Sequence, residues 1–258
     1  MADSTFDLNG KKVLITGGNS GIGLGMAKAL VKAGADVVIW GTNEEKNAAA
    51  HAELEAVGGG KAWAMRCNVA DEQEVNDRFA ETLKTLGKVD ACFANAGVGS
   101  GRSGPFVDMT TQEWRRVLDV NLDGAFFTLR AAAKHMVERG EGGSLVTTAS
   151  LAAQEGVPRG EHYSASKGGL ISMTRGLAVE LARNHIRANV IIPGWIESPM
   201  TANFFAMKAV QERVLTRVPM RRWGVKEDFG GIAVYLTSDA SAYHTGDSFV
   251  IDGAYALF

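Results

Sequence analysis

The sequence predicts an α/β fold, in which one open parallel sheet is covered by helices on both faces. Three observations point to it. Short, unbroken apolar runs alternate with longer helical patterns from one end of the chain to the other. Strands buried on both faces read as such runs, and parallel strands need helical crossovers between them. The length of 258 residues, with 46% hydrophobic and 22% charged content, suits a single large domain with its own core, so residues 1–258 are expected to form one unit. Finally, there are 31 glycines, about 12% of the chain against a usual share of about 7%. Such an excess marks positions where the backbone turns tightly or lies against something else.

The elements follow in order. A strand at 13–15, Val13-Leu14-Ile15, precedes an apolar helix at 22–33, with Gly34 where a helix C-cap belongs. A second strand at 37–40 leads into an Ala-rich helix at 44–57 that stops at Gly58-Gly59-Gly60. The third strand, 62–67, is followed by Asp71-x-x-Glu74, and the fourth, 91–94, by Thr110-x-x-Glu113. Both are capping-box-like helix starts, the second opening a helix expected to run to about residue 137. Runs at 145–148, 188–192 and 248–251 complete seven strands. The stretch from about 194 to 224 is too long for an ordinary connection, and loops of that length are usually lids or binding loops.

Composition excludes several function classes. Twenty-seven Lys and Arg against 29 Asp and Glu give a net charge of −2, with no long run of like charge, so neither a nucleic acid nor an acidic membrane is an expected partner. Cys67 and Cys92 stand in apolar segments without C-x-x-C spacing; the expectation is two buried, reduced thiols and no metal site. The first residues lack a basic then apolar leader, and no apolar run approaches the length of a membrane span. A soluble, cytoplasmic protein is expected.

The chemistry begins at Thr16-Gly17-Gly18-Asn19-Ser20-Gly21-Ile22-Gly23, directly between the first strand and the first helix. Glycines there remove the Cβ atoms that would hold a pyrophosphate off the backbone, and the helix N-terminus supplies free N–H groups. The spacing is T-G-x-x-x-G-x-G rather than G-x-G-x-x-G. It resembles the cofactor turn of the short-chain dehydrogenase/reductase family, and the resemblance extends over nearly the whole chain. Ala94-Asn95-Ala96-Gly97 is similar to the family's N-N-A-G segment, with Ala94 for the first Asn; Asn121 stands in an N-x-x-G-x-F setting ending at Phe126. Ser150 closes a strand, Tyr163-x-x-x-Lys167 follows 13 residues later, and Pro193-Gly194 follows the sixth strand. The resemblance implies a Rossmann-like, doubly wound parallel sheet of seven strands in the order 3-2-1-4-5-6-7. It also implies NAD(P)-dependent hydride transfer between a secondary alcohol and its ketone, and a homotetramer or homodimer using the helices near Trp114 and Tyr163. The apolar tail, Tyr255-Ala256-Leu257-Phe258, fits burial against a second copy.

Hydride transfer needs a group that gives or takes the hydroxyl proton, and tyrosine, with a usual pKa of about 10, needs help to act as a base. Lys167 lies one helical turn after Tyr163 and can stabilise its phenolate, so a phenol pulled below its usual pKa is expected. Ser150 is placed to hold and polarise the substrate oxygen. The resemblance further implies that Lys167 binds the nicotinamide ribose and that Asn121 holds a water linking Lys167 to solvent. It implies that Asn68-Val69 contact adenine and that Ile196 and Ser198 bond the nicotinamide carboxamide.

An acid near the end of the second strand would bind the ribose 2′-hydroxyl and favour NAD, whereas a base there accommodates the 2′-phosphate. Neither is present: the segment reads Trp40-Gly41-Thr42-Asn43, and Asn19 and Ser20 stand in the turn. Thr42 and Asn43 can donate to a phosphate, which slightly favours NADP over NAD. For the substrate, a small carbonyl or alcohol compound, Gln154, Glu155 and His162 are candidate contacts beside Ser150. Trp195, Met200, Phe204 and Phe205 are either an apolar cover or the packing of a mobile helix onto the core or a neighbouring subunit. A 3-oxoacyl-thioester reductase, a sugar or polyol dehydrogenase and a hydroxysteroid-type enzyme remain open. Outside that class stand a non-catalytic cofactor sensor, which should lack Tyr163 or Lys167, and an isomerase or dehydratase with tightly held cofactor.

Overall fold

The computed structural model describes residues 5–101, 104–198, 201–205 and 207–258, with backbone only at 203, 204 and 209. Seven strands form one sheet: β1 (Lys12–Thr16), β2 (Asp36–Gly41), β3 (Ala62–Arg66), β4 (Ala91–Ala94), β5 (Gly143–Thr148), β6 (Ile186–Pro193) and β7 (Ser248–Ile251). Their order is β3-β2-β1-β4-β5-β6-β7 and every pairing is parallel, as expected for a doubly wound sheet. The chain crosses the sheet between β3 and β4, so β1 pairs with β2 on one side and with β4 on the other: Leu14 lies opposite both Val38 and Cys92. The reversal opens a crevice beyond the carboxyl ends of β1 and β4, where doubly wound sheets bind ligands.

The helices among the described residues are α1 (Gly21–Lys32), α2 (Glu44–Val57), α3 (Glu72–Leu86), α4 (Thr111–Leu118), α5 (Gly124–Arg139), α6 (Glu161–Leu181), α7 (Ala202–Phe205), α8 (Lys208–Leu215) and α9 (Gly230–Thr237). Alternate strand residues supply two cores. Val13, Ile15, Val37, Ile39 and Phe93 face α1 and α9 with Leu30 and Leu236. Leu14, Val38, Trp40 and Cys92 face α3, α5 and α6 with Phe79, Leu129 and Leu170. The buried Trp40 indole donates to Thr82 Oγ1 at 3.1 Å, which meets its one polar need.

Two sequence-read caps are present: Asp71 accepts from the Glu74 amide and Thr110 from the Glu113 amide, each at 3.1 Å. The helix expected from Thr110 to about 137 is instead interrupted by a π-helical stretch, Asp119–Asp123, which separates α4 from α5. Between β6 and α9 the chain is not one long loop, for it carries α7 and α8 and is pinned at its base by a bridge between Ile196 and Gly224. Among the described residues no helix is long and apolar enough to cross a membrane.

The seat of α1 on α9 depends on Gly25. A Cβ there would stand 2.0 Å from the carbonyl oxygen of Lys226, in the turn that leads into α9. Backbone cannot yield as a side-chain tip can. Gly25→Ala is therefore expected to lower stability by about 1–3 kcal/mol, a Tm loss of several degrees in thermal unfolding; an unchanged Tm would contradict this packing.

Candidate active site

The turn after β1 is tied to its neighbours on both sides. Gly17 N–H donates to Trp40 O at 2.8 Å, and Thr16 Oγ1 accepts the amides of Asn95 and Ala96 at 3.0 Å each. The Asn95 side chain returns the contact, donating to Thr16 O and Gly17 O. Gly17 has φ +64°, and a Cβ on it would lie 2.9 Å from Ala96 Cα; the turn needs glycine for conformation and closeness together. Ser20 precedes α1 without a side-chain capping bond, so the first-turn N–H groups are offered to whatever occupies the crevice.

One cavity of about 360 Å³ runs along this crevice, within the range of small-ligand sites. Gly17, Asn19, Ser20, Gly21 and Ile22 line one end with Thr42, Asn68 and Val69; Asn95, Ala96 and Gly97 form the middle. Ser150, Tyr163 and Lys167 line the same cavity, as do Pro193, Gly194, Ile196 and Ser198, the last close to Gly21. Strand ends far apart in sequence therefore deliver most of the sequence-read site to one wall. Thr16 braces the turn, while Thr148 and Thr201 join the lining. Thr16 is the T of the T-G-x-x-x-G-x-G turn, whereas the signal of Thr148 and Thr201 was position alone, at a strand end or near a site residue.

Ser150 precedes the 3-10 turn Leu151–Ala153, and its Oγ accepts the Ala152 amide at 3.2 Å, leaving its O–H free to donate. Tyr163 sits in the first turn of α6. Burial pushes its phenol above the usual value, with a hydrogen bond from Ser150 pulling the other way. This corrects the expected depression: the hydroxyl is withdrawn from water, while the Lys167 ammonium lies 5.7 Å from the ring centre and donates instead to Thr148 O at 2.8 Å. Lys167 is 4% exposed, and burial brings its ammonium down to about 8.

Several expected contacts lie elsewhere. Asn121 is fully buried in the π-helical stretch. Its Oδ1 accepts from Val98 N at 2.7 Å, and its Nδ2 donates to Val98 O at 3.0 Å and to Ser166 Oγ at 3.1 Å. With both N–H groups committed, the side chain braces the stretch following β4 against α6. Asn43 caps α2 by accepting from Lys46 N at 2.8 Å and does not line the cavity. Gly23 packs α1 onto the turn, where a Cβ would lie 2.3 Å from Gly17 O.

His162 does not face the cavity. It is fully buried, with Nε2 at 3.3 Å from both Ser100 O and Glu113 Oε1. Arg116 grips the same carboxylate and also donates to Gly99 O at 3.1 Å, so this group holds the backbone of 99–100 in place. Gln154 is exposed and Glu155 half-buried, and neither lines the cavity. Trp195 packs on neighbouring aromatic rings, 6.4 Å from Trp223 and 6.2 Å from Tyr255, while Phe205 and Trp223 stack at 4.1 Å. Met200 and the Phe204 side chain lie outside the described residues. Burial pushes the thiols of Cys67 and Cys92 up to about 12, so both are protonated and inert at neutral pH.

The same arrangement is found in known proteins. The family model described as enoyl-(acyl carrier protein) reductase matches residues 17–256. The chain is 37% identical over 247 residues to the L-rhamnose 1-dehydrogenase (NAD(P)(+)) of Sphingomonas sp. (strain SKA58), covering 95% of this chain and 96% of that one. It is 36% identical over 246 residues to the 3-oxoacyl-[acyl-carrier-protein] reductase of Chlamydia pneumoniae, covering 95% and 97%. The crystal structure of a gluconate 5-dehydrogenase from Burkholderia cenocepacia J2315 in complex with NADP and tartrate superimposes with a TM-score of 0.91 at 32% identity, over 98% of each chain. Sheet order, glycine turn and full-length similarity agree: the chain belongs to the short-chain dehydrogenase/reductase family and is an NAD(P)-dependent oxidoreductase acting between an alcohol and its carbonyl form.

Proposed function

We propose that this chain reduces the ketone of a small sugar-derived or polyol compound, or oxidises the matching secondary alcohol, with NADP favoured over NAD. The observation that carries the reading is the convergence of Ser150, Tyr163 and Lys167 on the same cavity as the glycine turn. The cavity fits a dinucleotide: at Gly17, where a Cβ would strike the Ala96 backbone, the turn lies close and flat, and the N-terminus of α1 opens onto it. Gly17, Ser20, Gly21 and Ile22 would hold the pyrophosphate, Asn68 and Val69 the adenine. Lys167 would hold the nicotinamide ribose, and Ile196 and Ser198 the carboxamide. The bound nicotinamide supplies or accepts the hydride. Ser150 turns its O–H from the phenol to the substrate oxygen, and Tyr163 passes the proton between its phenol and that oxygen. Lys167, as an ammonium beside the phenol, favours the phenolate when it forms.

A polar substrate is favoured over a bulky apolar one because the lid aromatics Trp195, Phe205 and Trp223 pack on each other. Rhamnose and gluconate in the names of related enzymes support the same class. Segment 194–224 acts as a substrate lid, its ends held together by Glu197 N donating to Gly224 O and Gly224 N to Trp195 O. The absence of a carboxylate at Gly41 and the exposed Thr42 beside it support NADP. We assign the enzyme to the cytoplasm, where its two free thiols would stay reduced. Assembly into a dimer or tetramer is supported by Leu257 and Phe258, 89% and 74% exposed at the tail.

The test is nicotinamide absorbance with NADPH and NADH against a panel holding keto-gluconates, L-rhamnose and a 3-oxoacyl thioester. Turnover of a sugar-derived compound, with higher kcat/KM for NADPH, is expected. Turnover of the thioester alone would replace the proposed substrate class, and binding of NADPH without any turnover would make the protein a sensor.

A further inference from the structure

The floor of the cavity at the end of β2 contains a pair of amides that no motif announced. Asn47, on the inner face of α2, is 5% exposed and is not part of the cavity wall. It donates to Gly41 O at 3.0 Å and Met65 O at 3.3 Å, and receives the Asn19 side chain at 2.7 Å. Carbonyl oxygens only accept, so the Asn47 NH₂ must face Gly41 and Met65 and its Oδ1 must face Asn19. The facing atom of Asn19 is then necessarily its NH₂. Both amide orientations are thus dictated by the backbone of β2 and β3. Asn19 keeps one N–H and its carbonyl oxygen for a ligand.

The pair also explains why position 41 is glycine. Its φ needs no glycine, as it is absent from the positive-φ residues. The need is space: a Cβ at Gly41 would lie 2.1 Å from Asn19 Nδ2 and 2.6 Å from Asn47 Oδ1. The place where a residue at the end of β2 would reach the ribose is filled from the turn.

We propose that Asn47 is a positioning residue for cofactor selection: it holds Asn19 across Gly41, so that the turn amide, rather than a side chain from the end of β2, meets the 2′ position of the adenosine ribose. This rests on the cofactor placement given above. The remaining Asn19 N–H donates to a 2′-phosphate, a charge-assisted bond, and its carbonyl accepts from a 2′-hydroxyl. Asn47 and Gly41 matter to the cofactor only through Asn19.

The experiment compares the ratio of kcat/KM for NADPH to that for NADH in the wild type and in Asn19→Ala, Asn47→Ala, Gly41→Ala and the Asn19→Ala/Asn47→Ala double variant, with Tm recorded for each. Asn19→Ala is expected to lower the ratio by about tenfold, the size of a lost hydrogen bond to a charged group. The loss should fall on KM for NADPH with kcat unchanged. Asn47→Ala and Gly41→Ala are expected to reach the same ratio, and the double variant to fall no further, because all remove one amide from one place. Gly41→Ala displaces Asn19 most closely while keeping the Asn47 side chain in the protein, so the comparison survives if Asn47→Ala folds poorly. A purely structural Asn47 would lower Tm and leave the ratio alone. If Asn19→Ala lowers the ratio while Asn47→Ala and Gly41→Ala keep the wild-type value, the positioning role is overturned and the cofactor placement stands. If Asn19→Ala itself leaves the ratio unmoved, the placement of the ribose falls, and this proposal with it.

Discussion

Tyr163→Phe is expected to lower kcat by about 10²–10⁴-fold, the usual contribution of a positioned general acid or base, while NADPH affinity measured by fluorescence titration stays near wild type. The substitution removes one oxygen from a ring whose α6 placement does not depend on it. Ser150 keeps its bond from the Ala152 amide, and Lys167 keeps its bond to Thr148 O. What is lost is the proton path and the hydrogen bond from Ser150. Because burial holds the phenol above its usual pKa, the neutral form is the resting one, suited to donate to a ketone oxygen. Alcohol oxidation, which needs the phenolate, should therefore rise with pH. Retention of kcat within a few-fold of wild type would remove Tyr163 from the mechanism.

Lys167→Met is expected to abolish turnover and, in the cofactor-free enzyme, to make the fold more stable at pH 7. The ammonium is buried and its proton leaves at about 8 rather than 10.5, a difference corresponding to about 3 kcal/mol of stability forgone at neutral pH. The lost hydrogen bond to Thr148 O returns about 1 kcal/mol of that, so a net gain of about 2 kcal/mol is expected. The sign follows from proton counts. Between about pH 8 and 10.5 the unfolded chain holds a proton at Lys167 that the folded chain has released, so wild-type stability rises with pH across this window. Below it both forms are protonated and the full cost is present. Urea unfolding at pH 7 and pH 10 reads this directly, and the advantage of the variant should shrink at the higher pH. A variant less stable than wild type at pH 7 would show that the ammonium is not strained by burial.

The contrast between these two residues and their neighbours shows how far local pattern reached. Seven strands were readable because each is an apolar run bounded by turn residues, and α2 ends where Gly58 follows it. The caps at Asp71 and Thr110 were readable because capping depends on residues three apart. The π-helical stretch at Asp119–Asp123 was not, since its cause is the inward demand of Asn121 for Val98 and Ser166, 23 and 45 residues away. Trp195 read equally well as a substrate cover or as packing; the choice required Trp223 and Tyr255, distant in the chain. His162 read as a pocket residue because it adjoins Tyr163, yet consecutive helix positions point about 100° apart, and this one turns to Glu113.

Order along the chain was enough for the sheet, the glycine turn and the choice of Ser150, Tyr163 and Lys167 as candidates, because hydrophobic period and short-range turn chemistry are properties of neighbouring residues. Folding decided the rest: the protonation of Tyr163 and Lys167, the bracing use of Asn121, and the seating of Asn19 on Asn47. Each of these depends on desolvation or on a hydrogen bond closed across elements, and neither exists until the strand ends meet at the crevice.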